Sequence, residues 1–340
     1  MPEKQLKSTP PFSEESVAGT IEGIVLRAVS GQYVVQPTAP ESEPLPYLCT
    51  LRGNLKKDFT YNTSLSVARR VIKAKRPWTK DTVAIGDRVL FVPGESLLGT
   101  IEEILPRTSR FARQSFRGKE QTLVTNLDQL AIVFACTEPN PDPWRIDRWL
   151  VAAEYYELEP LLLANKCDLV SEEVFEERFR EYKQLGYTVL RVSAHANIGI
   201  ETLREAMRGR VAAFTGPSGV GKSSLLNALQ PGLKLDTGDI GYTTFKGRHT
   251  TTMRELIPLE SGGWVADTPG LRKIELLKMS REELIDCYCE FREYLEEPCK
   301  FRDCKHEREP SCNIKIAVEK GAISERRYQS FLETAREMGE

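Results

Sequence analysis

Residues 211–224 read VAAFTGPSGVGKSS, an apolar run that leads into a glycine-rich loop. A nearly continuous apolar run is typical of a strand buried on both faces of a sheet. Leucines with helical spacing follow the loop, namely Leu225, Leu226 and Leu229. In a loop of this kind between a strand and a helix, the backbone N–H groups turn inward around a phosphate group. The stretch therefore predicts a phosphate-binding loop in an α/β sheet.

The side chains of this loop add to the backbone cradle. Lys222 offers a positive charge to the β- and γ-phosphates of a nucleotide, and the Ser223 hydroxyl offers a ligand to Mg²⁺. The positive end of the following helix points at the same anion. A chance match in a turn would lack the buried strand and the helix. The residues predicted to hold the phosphates are Gly216, Pro217, Ser218, Gly219, Val220, Gly221, Lys222, Ser223 and Ser224.

A second motif, Asn165-Lys166-Cys167-Asp168, follows the apolar run 161–164. The Asp168 carboxylate can accept hydrogen bonds from the ring N–H and the amino group of guanine, which adenine cannot offer together. We expect Lys166 to cover the base and Asn165 to brace the loop. The motif is short and gains its weight from its position at the end of a strand.

The pair Ser193-Ala194 follows the predicted strand 188–192 and is expected to offer backbone N–H to the guanine carbonyl oxygen. Alone, this pair would be ordinary turn residues. With Asp168 it favours GTP over ATP. Each motif comes at the C-terminal end of a predicted strand, where parallel sheets bind their ligands. Those strands are 130–135, 161–164, 188–192, 211–215 and 263–266, and a helix is predicted over 146–156.

The order of the motifs is unusual. In an ordinary GTPase the phosphate loop comes first and the base-reading motif last. Here Asn165–Asp168 precedes the phosphate loop, and Asp267-Thr268-Pro269-Gly270 comes after both. Asp267 is expected to hold the Mg²⁺ shell through water, and the Gly270 N–H to contact the γ-phosphate. The order predicts a circularly permuted domain, 108–278, whose phosphate-sensing segment leads directly into the C-terminal region.

Three residues bear on the hydrolysis step. Many GTPases carry a Gln after the glycine at position 270 to orient the attacking water. Leu271 stands there and cannot do so, which predicts slow intrinsic hydrolysis. Thr251 is expected to reach Mg²⁺, and His249 is the candidate catalytic residue that would orient water once a partner orders the segment. An exposed loop histidine without a catalytic role is an equally open interpretation of His249.

The cluster Cys299-x4-Cys304-x-His306-x5-Cys312 matches the ligand number and softness of a structural zinc site. Buried free thiols are the alternative. The flanking charges favour the metal, because so polar a stretch lacks the apolar residues for a core. The region 279–340 is therefore predicted to be a helical zinc-binding domain, with a final amphipathic helix over 324–337.

Residues 19–107 have short runs with strand character punctuated by Gly, Pro and Asp. Five such strands, 20–26, 31–35, 47–52, 87–92 and 99–104, suit a small OB-type β-barrel, a fold that often binds nucleic acid. An SH3-like barrel or an interaction module without an RNA role stays open. A loop is expected over the insert 56–81.

The charge distribution is uneven although the net charge is only -2. Residues 68–80 and 107–119 are basic stripes without an acid, and such stripes can meet a phosphate backbone. A solvated charged surface is an equally open interpretation of each stripe.

The bulk composition is that of an ordinary multidomain protein. The chain has 340 residues, of which 40% are apolar and 28% charged. No run of 18 apolar residues predicts a membrane span. Residues 1–18 have neither signal nor transit character and are predicted to be a flexible extension. The eight cysteines do not form a disulfide pattern, which favours the reducing cytoplasm.

Taken together, these motifs resemble the RsgA (YjeQ) family of small ribosomal subunit biogenesis GTPases over nearly the whole chain. Smaller matches are Leu51-Arg52-Gly53, Ile85-Gly86-Asp87 and Gly247-Arg248-His249-Thr250-Thr251-Thr252. The resemblance implies GTP and GDP with Mg²⁺, one structural Zn²⁺ per chain on the Cys299 cluster, and binding to the small ribosomal subunit and its RNA. It implies hydrolysis stimulated by that subunit and coupled to release. A cytoplasmic monomer without membrane or DNA partners is expected.

Two other functions stay open from the sequence. One is a permuted GTPase that acts on the large ribosomal subunit, against which the leading barrel and the Cys/His cluster argue. The other is a nucleotide-gated RNA-binding module that barely hydrolyses GTP, with Leu271 at a disabled position. Turnover with and without small subunits separates them.

Overall fold

A computed structural model describes residues 19–29, 31–38, 45–52, 58–61, 71–75, 83–114, 120–230, 233, 255–267 and 279–338. The strands of these residues are β1 (Ile21–Val29), β2 (Gln32–Pro37), β3 (Tyr47–Leu51), β4 (Asp58–Tyr61), β5 (Val71–Lys75), β6 (Arg88–Pro93), β7 (Leu98–Ile104), β8 (Arg110–Gln114), β9 (Glu120–Thr125), β10 (Gln129–Ala135), β11 (Glu159–Asn165), β12 (Thr188–Arg191), β13 (Val211–Thr215), β14 (Glu255–Pro258) and β15 (Trp264–Asp267). The α-helices are α1 (Pro143–Tyr155), α2 (Glu172–Gln184), α3 (Ile200–Met207), α4 (Lys222–Leu229), α5 (Arg281–Asp286), α6 (Asn313–Glu319) and α7 (Glu325–Glu337), and short 3-10 helices span Glu95–Leu97, Cys167–Leu169 and Cys289–Leu295.

The N-terminal region folds as a closed five-stranded barrel. The strands pair in the order β1-β2-β3-β7-β6, and β6 pairs with β1 to close the barrel. The β3–β7 pair is parallel and the other pairs are antiparallel. Apolar side chains that alternate along the strands fill the interior, among them Val25, Val35, Val89, Phe91 and Ile101. The five predicted strands and the OB-type barrel are confirmed.

The insert 56–81 differs from expectation where the structure describes it. The strands β4 and β5 pair as an antiparallel ribbon instead of forming a plain loop. The alternation in Val71–Lys75 is too short to separate a strand from a loop by pattern alone, which is why the sequence missed it.

The central region is a parallel α/β sheet. The order β12-β11-β10-β13-β15 is parallel throughout, and β14 pairs antiparallel with β15 at the edge. All seven residues of β10 are buried because apolar clusters cover both faces. One cluster contains Ile132 and Phe134, and the other contains Val133 and Ala135. The five predicted strands of this domain and the helix over α1 are confirmed.

The barrel and the α/β sheet meet through β1 and β14, where Arg27 pairs with Glu255 at 2.5 Å. A second link is the buried carboxylate of Asp87, which accepts hydrogen bonds from Arg107 (Nε to Oδ1, 2.6 Å) and Thr125 (Oγ1 to Oδ1, 2.7 Å). The Arg107 side chain is only 7% exposed. Arg107, the first cation of the second basic stripe, is therefore committed to the junction and does not face a phosphate backbone.

The C-terminal region has its own aromatic core. Tyr288, Phe291 and Phe331 pack with ring centroids 5.2 to 5.5 Å apart. Ser280 and Glu283 form a reciprocal capping box that begins α5. Val151 of α1 belongs to the same core, so the C-terminal region packs directly on the first helix of the α/β domain. No helix among the described residues has the length and apolar character needed to cross a membrane.

Candidate functional site

The glycine-rich loop lies against the ends of two neighbouring strands. Gly216 follows β13 with φ of 134°, and a Cβ there would lie 2.1 Å from the Val133 carbonyl oxygen of β10. Gly221 has φ of 93°, and a Cβ there would lie 2.3 Å from Asn165 Nδ2. Both positions need glycine because of the backbone conformation and the missing space. The loop is therefore packed as closely as a phosphate cradle requires.

Helix α4 begins with the two side chains that the sequence assigns to phosphate and Mg²⁺. Lys222 is 8% exposed, and its Nζ donates to the carbonyl oxygens of Gly216 (2.8 Å) and Pro217 (2.5 Å) across the loop. Ser223 is 3% exposed, and its Oγ has no hydrogen-bond partner among the described residues. Burying a hydroxyl without a partner costs about 1–3 kcal/mol. An oxygen ligand for Mg²⁺ at this position accounts for that cost, so the residues present fit the ion.

Asn165 joins the three loops of the site. Its side chain is 2% exposed, and its Nδ2 donates to the Val220 carbonyl oxygen of the glycine-rich loop at 2.8 Å. Its Oδ1 accepts a long hydrogen bond of 3.4 Å from the Ala194 N–H. The amide therefore connects the base-reading motif to the phosphate loop and to the turn after β12.

Lys166 and Asp168 lie at the mouth of the site. Lys166 has φ of 58°, and its Nζ donates to the Glu138 carbonyl oxygen in the segment between β10 and α1. Asp168 is exposed, as a carboxylate that is to meet a ligand must be. The side chain of Cys167 is buried beneath the loop, and that burial raises its thiol pKa. The Cys167 side chain therefore belongs to the apolar core beneath the loop.

The Ser193-Ala194 turn differs in part from expectation. The Ser193 N–H donates to the Ile198 carbonyl oxygen at 2.9 Å, and its Oγ accepts from the Ala196 N–H at 3.0 Å. The N–H of Ser193 is therefore used within the turn. The weakly bonded N–H of Ala194 is the one left to meet a guanine carbonyl oxygen.

The sheet order explains how the permuted motifs meet. Asn165 ends β11 and Ser193 follows β12 on one side of β10, whereas Gly216 follows β13 and Asp267 ends β15 on the other side. All four positions lie at the carboxyl ends of their strands, so the base-reading and phosphate-binding groups share that edge of the sheet. The predicted roles of His249, Thr251, Gly270 and Leu271 fall outside the described residues, and Asp267 is described through its backbone.

The Cys/His cluster is assembled in the C-terminal region. The ligand atoms of Cys299, Cys304, His306 and Cys312 all lie within 4.8 Å of one another. His306 Nδ1 is 3.7 Å from the Cys299 Sγ, 3.5 Å from that of Cys304 and 3.2 Å from that of Cys312. A tetrahedral zinc with ordinary bond lengths would separate its sulfur and nitrogen ligands by about 3.5–3.8 Å. The donor set fits Zn²⁺, and the Cys299 and Cys304 distances have this spacing, whereas the Cys312 distance is shorter at 3.2 Å.

The chemistry of the thiols also suits a cation. Burial, together with the neighbouring Cys312 and Cys299, raises the pKa of the Cys304 thiol to about 12. Three thiolates at this spacing repel one another, which favours the protonated thiols. A bound cation reverses that effect and favours the thiolates. Cys287 and Cys289 lie outside the cluster, since their Sγ atoms contact the Glu283 carbonyl oxygen and Tyr187 Oη.

Three contacts support the ligands, and the sequence did not single them out. Glu309 accepts backbone N–H from Lys305, Glu307 and Arg308 at 3.0 Å each. Burial alone would raise its carboxyl pKa, but these N–H groups outweigh it and lower the pKa to about 2. Tyr328 Oη donates to the His306 carbonyl oxygen at 2.8 Å, and the Asn313 N–H points at Cys299 Sγ. Contacts of this kind hold metal ligands in position.

The comparison with known families decides the class of the chain. The family model described as RsgA GTPase matches residues 104–277, which contain the base-reading motif, the glycine-rich loop and β15. The chain belongs to the RsgA GTPase family. As a member of that family it is a GTPase, and its substrate and product are GTP and GDP with Mg²⁺ as the accompanying ion.

Relatives of the RsgA family match the chain over nearly its whole length. The protein named "Small ribosomal subunit biogenesis GTPase RsgA" from Gemmatimonas aurantiaca is 39% identical over 93% of this chain and 97% of its own. The crystal structure of YjeQ from Thermotoga maritima matches with a TM-score of 0.72 at 33% identity, covering 94% of this chain and 98% of that chain. The structure described as YloQ, a circularly permuted GTPase, matches with a TM-score of 0.73 at 28% identity, covering 96% and 98%. The predicted circular permutation is confirmed.

Proposed function

We propose that this GTPase acts on the small ribosomal subunit, assists its late maturation and couples GTP hydrolysis to its release from the subunit. Support comes from the relatives, which carry the name small ribosomal subunit biogenesis GTPase at 38–39% identity over 92–93% of this chain. The GTPase part of the proposal rests on one observation, which is that Asn165, Ser223 and Gly216 lie together at the same edge of the sheet.

Each described side chain has a proposed task in this reaction. Asp168 accepts hydrogen bonds from guanine, Lys166 covers the base, and Asn165 holds the loops in register. Lys222 leaves the carbonyl oxygens of the loop to neutralise the β- and γ-phosphates. Charge stabilisation on the transferring phosphoryl group is the main source of catalysis in this class of reaction.

The Mg²⁺ ion supplies charge neutralisation between the β- and γ-phosphates when it is bound. We propose Ser223, Thr251 and Asp267 as the residues that hold it, with Gly270 N–H on the γ-phosphate. His249, which lies outside the described residues, is proposed to orient the attacking water once the ribosomal subunit is bound. Leu271 offers no polar atom for that task, so hydrolysis is slow without the subunit.

We propose a structural zinc ion on Cys299, Cys304, His306 and Cys312. The ion closes the loop between 299 and 312 and so fixes one side of the core around Phe291. Closed four-ligand sites of this type contribute folding energy and take no part in catalysis.

The domain assignments complete the proposal. The barrel, 19–107, and the zinc-binding region, 279–340, contact ribosomal RNA on either side of the GTPase domain, 108–278. The predicted N-terminal extension, 1–18, lies outside the described residues. The protein acts in the cytoplasm as a monomer, with no DNA and no membrane partner.

The test is GTP hydrolysis by the purified protein, alone and with small or large ribosomal subunits. We expect strong stimulation by small subunits only. Stimulation by large subunits would reassign the partner. Turnover that stays absent with either subunit, while GDP and GTP still bind, would leave a nucleotide-gated RNA-binding module.

A further inference from the structure

The C-terminal region is docked on the α/β domain through buried charges. Arg327 of α7 is 0% exposed, and its Nη1 lies 2.8 Å from Oδ1 of Asp147 in α1, which is also 0% exposed. Arg326 donates to Asp147 Oδ2 at 2.6 Å and to Oε2 of Glu181 in α2 at 2.8 Å. Two adjacent arginines thus join α7 to both α1 and α2. Buried ion pairs add little net stability, but separating α7 from α1 would leave the Asp147 carboxylate and the Arg327 guanidinium without each other, which disfavours the undocked arrangement.

Both helices that receive the arginines are attached to the base-reading motif. Helix α2 begins at Glu172, four residues after Asp168, and Arg178 of α2 donates to the Cys136 carbonyl oxygen. The segment from Cys136 to Asp142 leads into α1, and the Cys136 N–H donates to the Asn165 carbonyl oxygen at 2.7 Å.

The base-covering lysine is part of the same attachment. Lys166 Nζ holds the Glu138 carbonyl oxygen, four residues before the N-cap of α1. In addition, the Tyr182 hydroxyl of α2 donates to the Pro143 carbonyl oxygen at the start of α1 (3.3 Å), and the Arg326 guanidinium lies 5.6 Å from the Tyr182 ring. The base-reading motif is therefore linked by hydrogen bonds to the segment before α1 and, through that segment, to α2, and α1 and α2 are linked to α7 by the ion pairs of Arg326 and Arg327.

The C-terminal region is attached to the α/β domain in two places. The chain enters the C-terminal region from the phosphate side, after β15, but the region is docked on the base side of the sheet. We propose that Asp147, Glu181, Arg326 and Arg327 are positioning residues that couple the docking of the C-terminal region to binding of the guanine base. GDP and GTP carry the same base, so both tighten the docking to the same extent.

The inference rests on the proposed nucleotide site. Thermodynamic linkage predicts two measurable effects, one on the docking of the C-terminal region and one on the affinity for guanine nucleotides. If guanine binding favours the docked arrangement, then loss of docking weakens guanine binding by the same factor. Coupling between two sites in proteins is commonly about 5- to 150-fold. We expect an effect at the lower end, about fivefold, because the base-side contacts are shared by two helices.

The test is hydrogen–deuterium exchange of the full chain, read on peptides from α7, with GDP and with a non-hydrolysable GTP analogue. In the wild type both nucleotides should slow α7 exchange by about fivefold and to the same extent. The Arg326→Gln variant should lose this response, and its GDP affinity should fall by about fivefold. If Arg326→Gln folds poorly, Glu181→Gln serves as the second variant. It removes the partner of Arg326 on α2, leaves the buried Asp147 paired, and should also reduce the α7 response and the GDP affinity.

Arg292→Gln is the matched control. It breaks another ion pair between the same regions, from Arg292 to Glu154 at 2.7 Å, but Glu154 lies near the C-terminal end of α1 and the Arg292 side chain is 58% exposed. This variant should keep the wild-type GDP affinity and the α7 response. An equal loss in Arg292→Gln and Arg326→Gln would overturn the inference, because docking in general would then be the cause.

Two further outcomes separate the inference from the nucleotide site beneath it. If GDP binds but α7 exchange does not change, or changes only with the GTP analogue, then the base-side coupling is wrong and the nucleotide site stands. If the wild-type chain binds no guanine nucleotide, the site is wrong and the coupling falls with it.

Discussion

Replacing Arg327 by Met should weaken the C-terminal region in a way that a second substitution reverses. Arg327 contributes Nε and Nη2 to the Glu290 carboxylate at 2.6 and 3.0 Å, and its Nη1 lies beside Asp147. Asp147 keeps Arg326 after the substitution. The unpaired charge is therefore that of Glu290, whose side chain is 7% exposed.

The magnitude follows from those contacts. Removing one partner of a buried ion pair costs about 3–5 kcal/mol. Because Asp147 stays paired with Arg326 and the Glu290 carboxylate keeps a contact with the Cys289 thiol at 3.5 Å, we expect the lower limit, about 3 kcal/mol. This cost would raise the opening equilibrium of α7 about a hundredfold, since about 1.4 kcal/mol corresponds to a factor of ten.

The double variant Arg327→Met/Glu290→Gln should recover most of that loss. Gln removes the unpaired buried charge and leaves a neutral amide, whose burial costs less than that of a carboxylate. The contact of the Arg327 guanidinium with the Tyr288 ring, at 4.6 Å, is lost in both variants and stays as a residual cost. We expect a recovery of about 2 kcal/mol.

Native-state hydrogen exchange on α7 measures the free energy of opening for each variant. This local quantity is preferable to a global unfolding curve, because a multidomain chain need not unfold in one step. If the single and the double variant lose the same free energy, the buried charge of Glu290 is not the cause and the reasoning about the ion pair is refuted.

Three other substitutions test the two candidate sites. Lys222→Ala should abolish GTP hydrolysis with the far-ultraviolet circular dichroism unchanged, and turnover near the wild-type value would contradict the phosphate-loop assignment. Asn165→Ala should destabilise the site by about 1–3 kcal/mol, because the buried Val220 carbonyl oxygen loses its hydrogen-bond donor. It should also weaken GDP binding measured by titration calorimetry. Unchanged binding would show that the Asn165 side chain is not needed to hold the loops together. Cys304→Ser should lower the zinc content from one ion per chain, measured by plasma emission spectrometry, whereas the control Cys289→Ser should keep it; metal content unaffected by Cys304→Ser would remove Cys304 from the ligand set.

The sequence predicted the parts of the fold that depend on local pattern. The apolar runs before Asn165 and Gly216 gave the buried strands correctly, because a strand covered on both faces has no polar alternation. Glycine at 216 and 221 was predictable from the motif, and the structure adds the reason in the short approaches to Val133 and Asn165. The barrel strands were predictable from alternation and turn residues.

Contacts between distant residues were not predictable in this way. Asp147 and Arg326 are 179 positions apart, and neither belongs to a motif. In α7 the amphipathic pattern predicts which apolar residues face a core, but a charged residue in such a pattern is ordinarily placed on the solvated face. Arg327 is fully buried because a partner helix supplies a carboxylate, and that information is absent from the helix itself.

The same limit applies to the Cys/His segment. The sequence argument treated residues 299–312 as too polar to order without a metal. The structure gives the segment a second support, because Cys312 and Ile314 belong to the aromatic core around Phe291. The apolar core therefore holds the same loop that the proposed metal would close.

The permuted chain order and the docking surface together place the nucleotide between two attachments of the C-terminal region. The covalent attachment leaves β15 at Asp267, on the phosphate side of β10. The docked attachment rests on α1 and α2, which follow the strands on the base side. In a chain with the ordinary motif order, the base-side helices would come last and a C-terminal region would extend from them directly. The permutation therefore separates the two attachments, with the covalent one on the phosphate side and the docked one on the base side. Under the proposed coupling, hydrolysis of GTP to GDP removes the γ-phosphate on the phosphate side and leaves the base, and with it the base-side docking, unchanged.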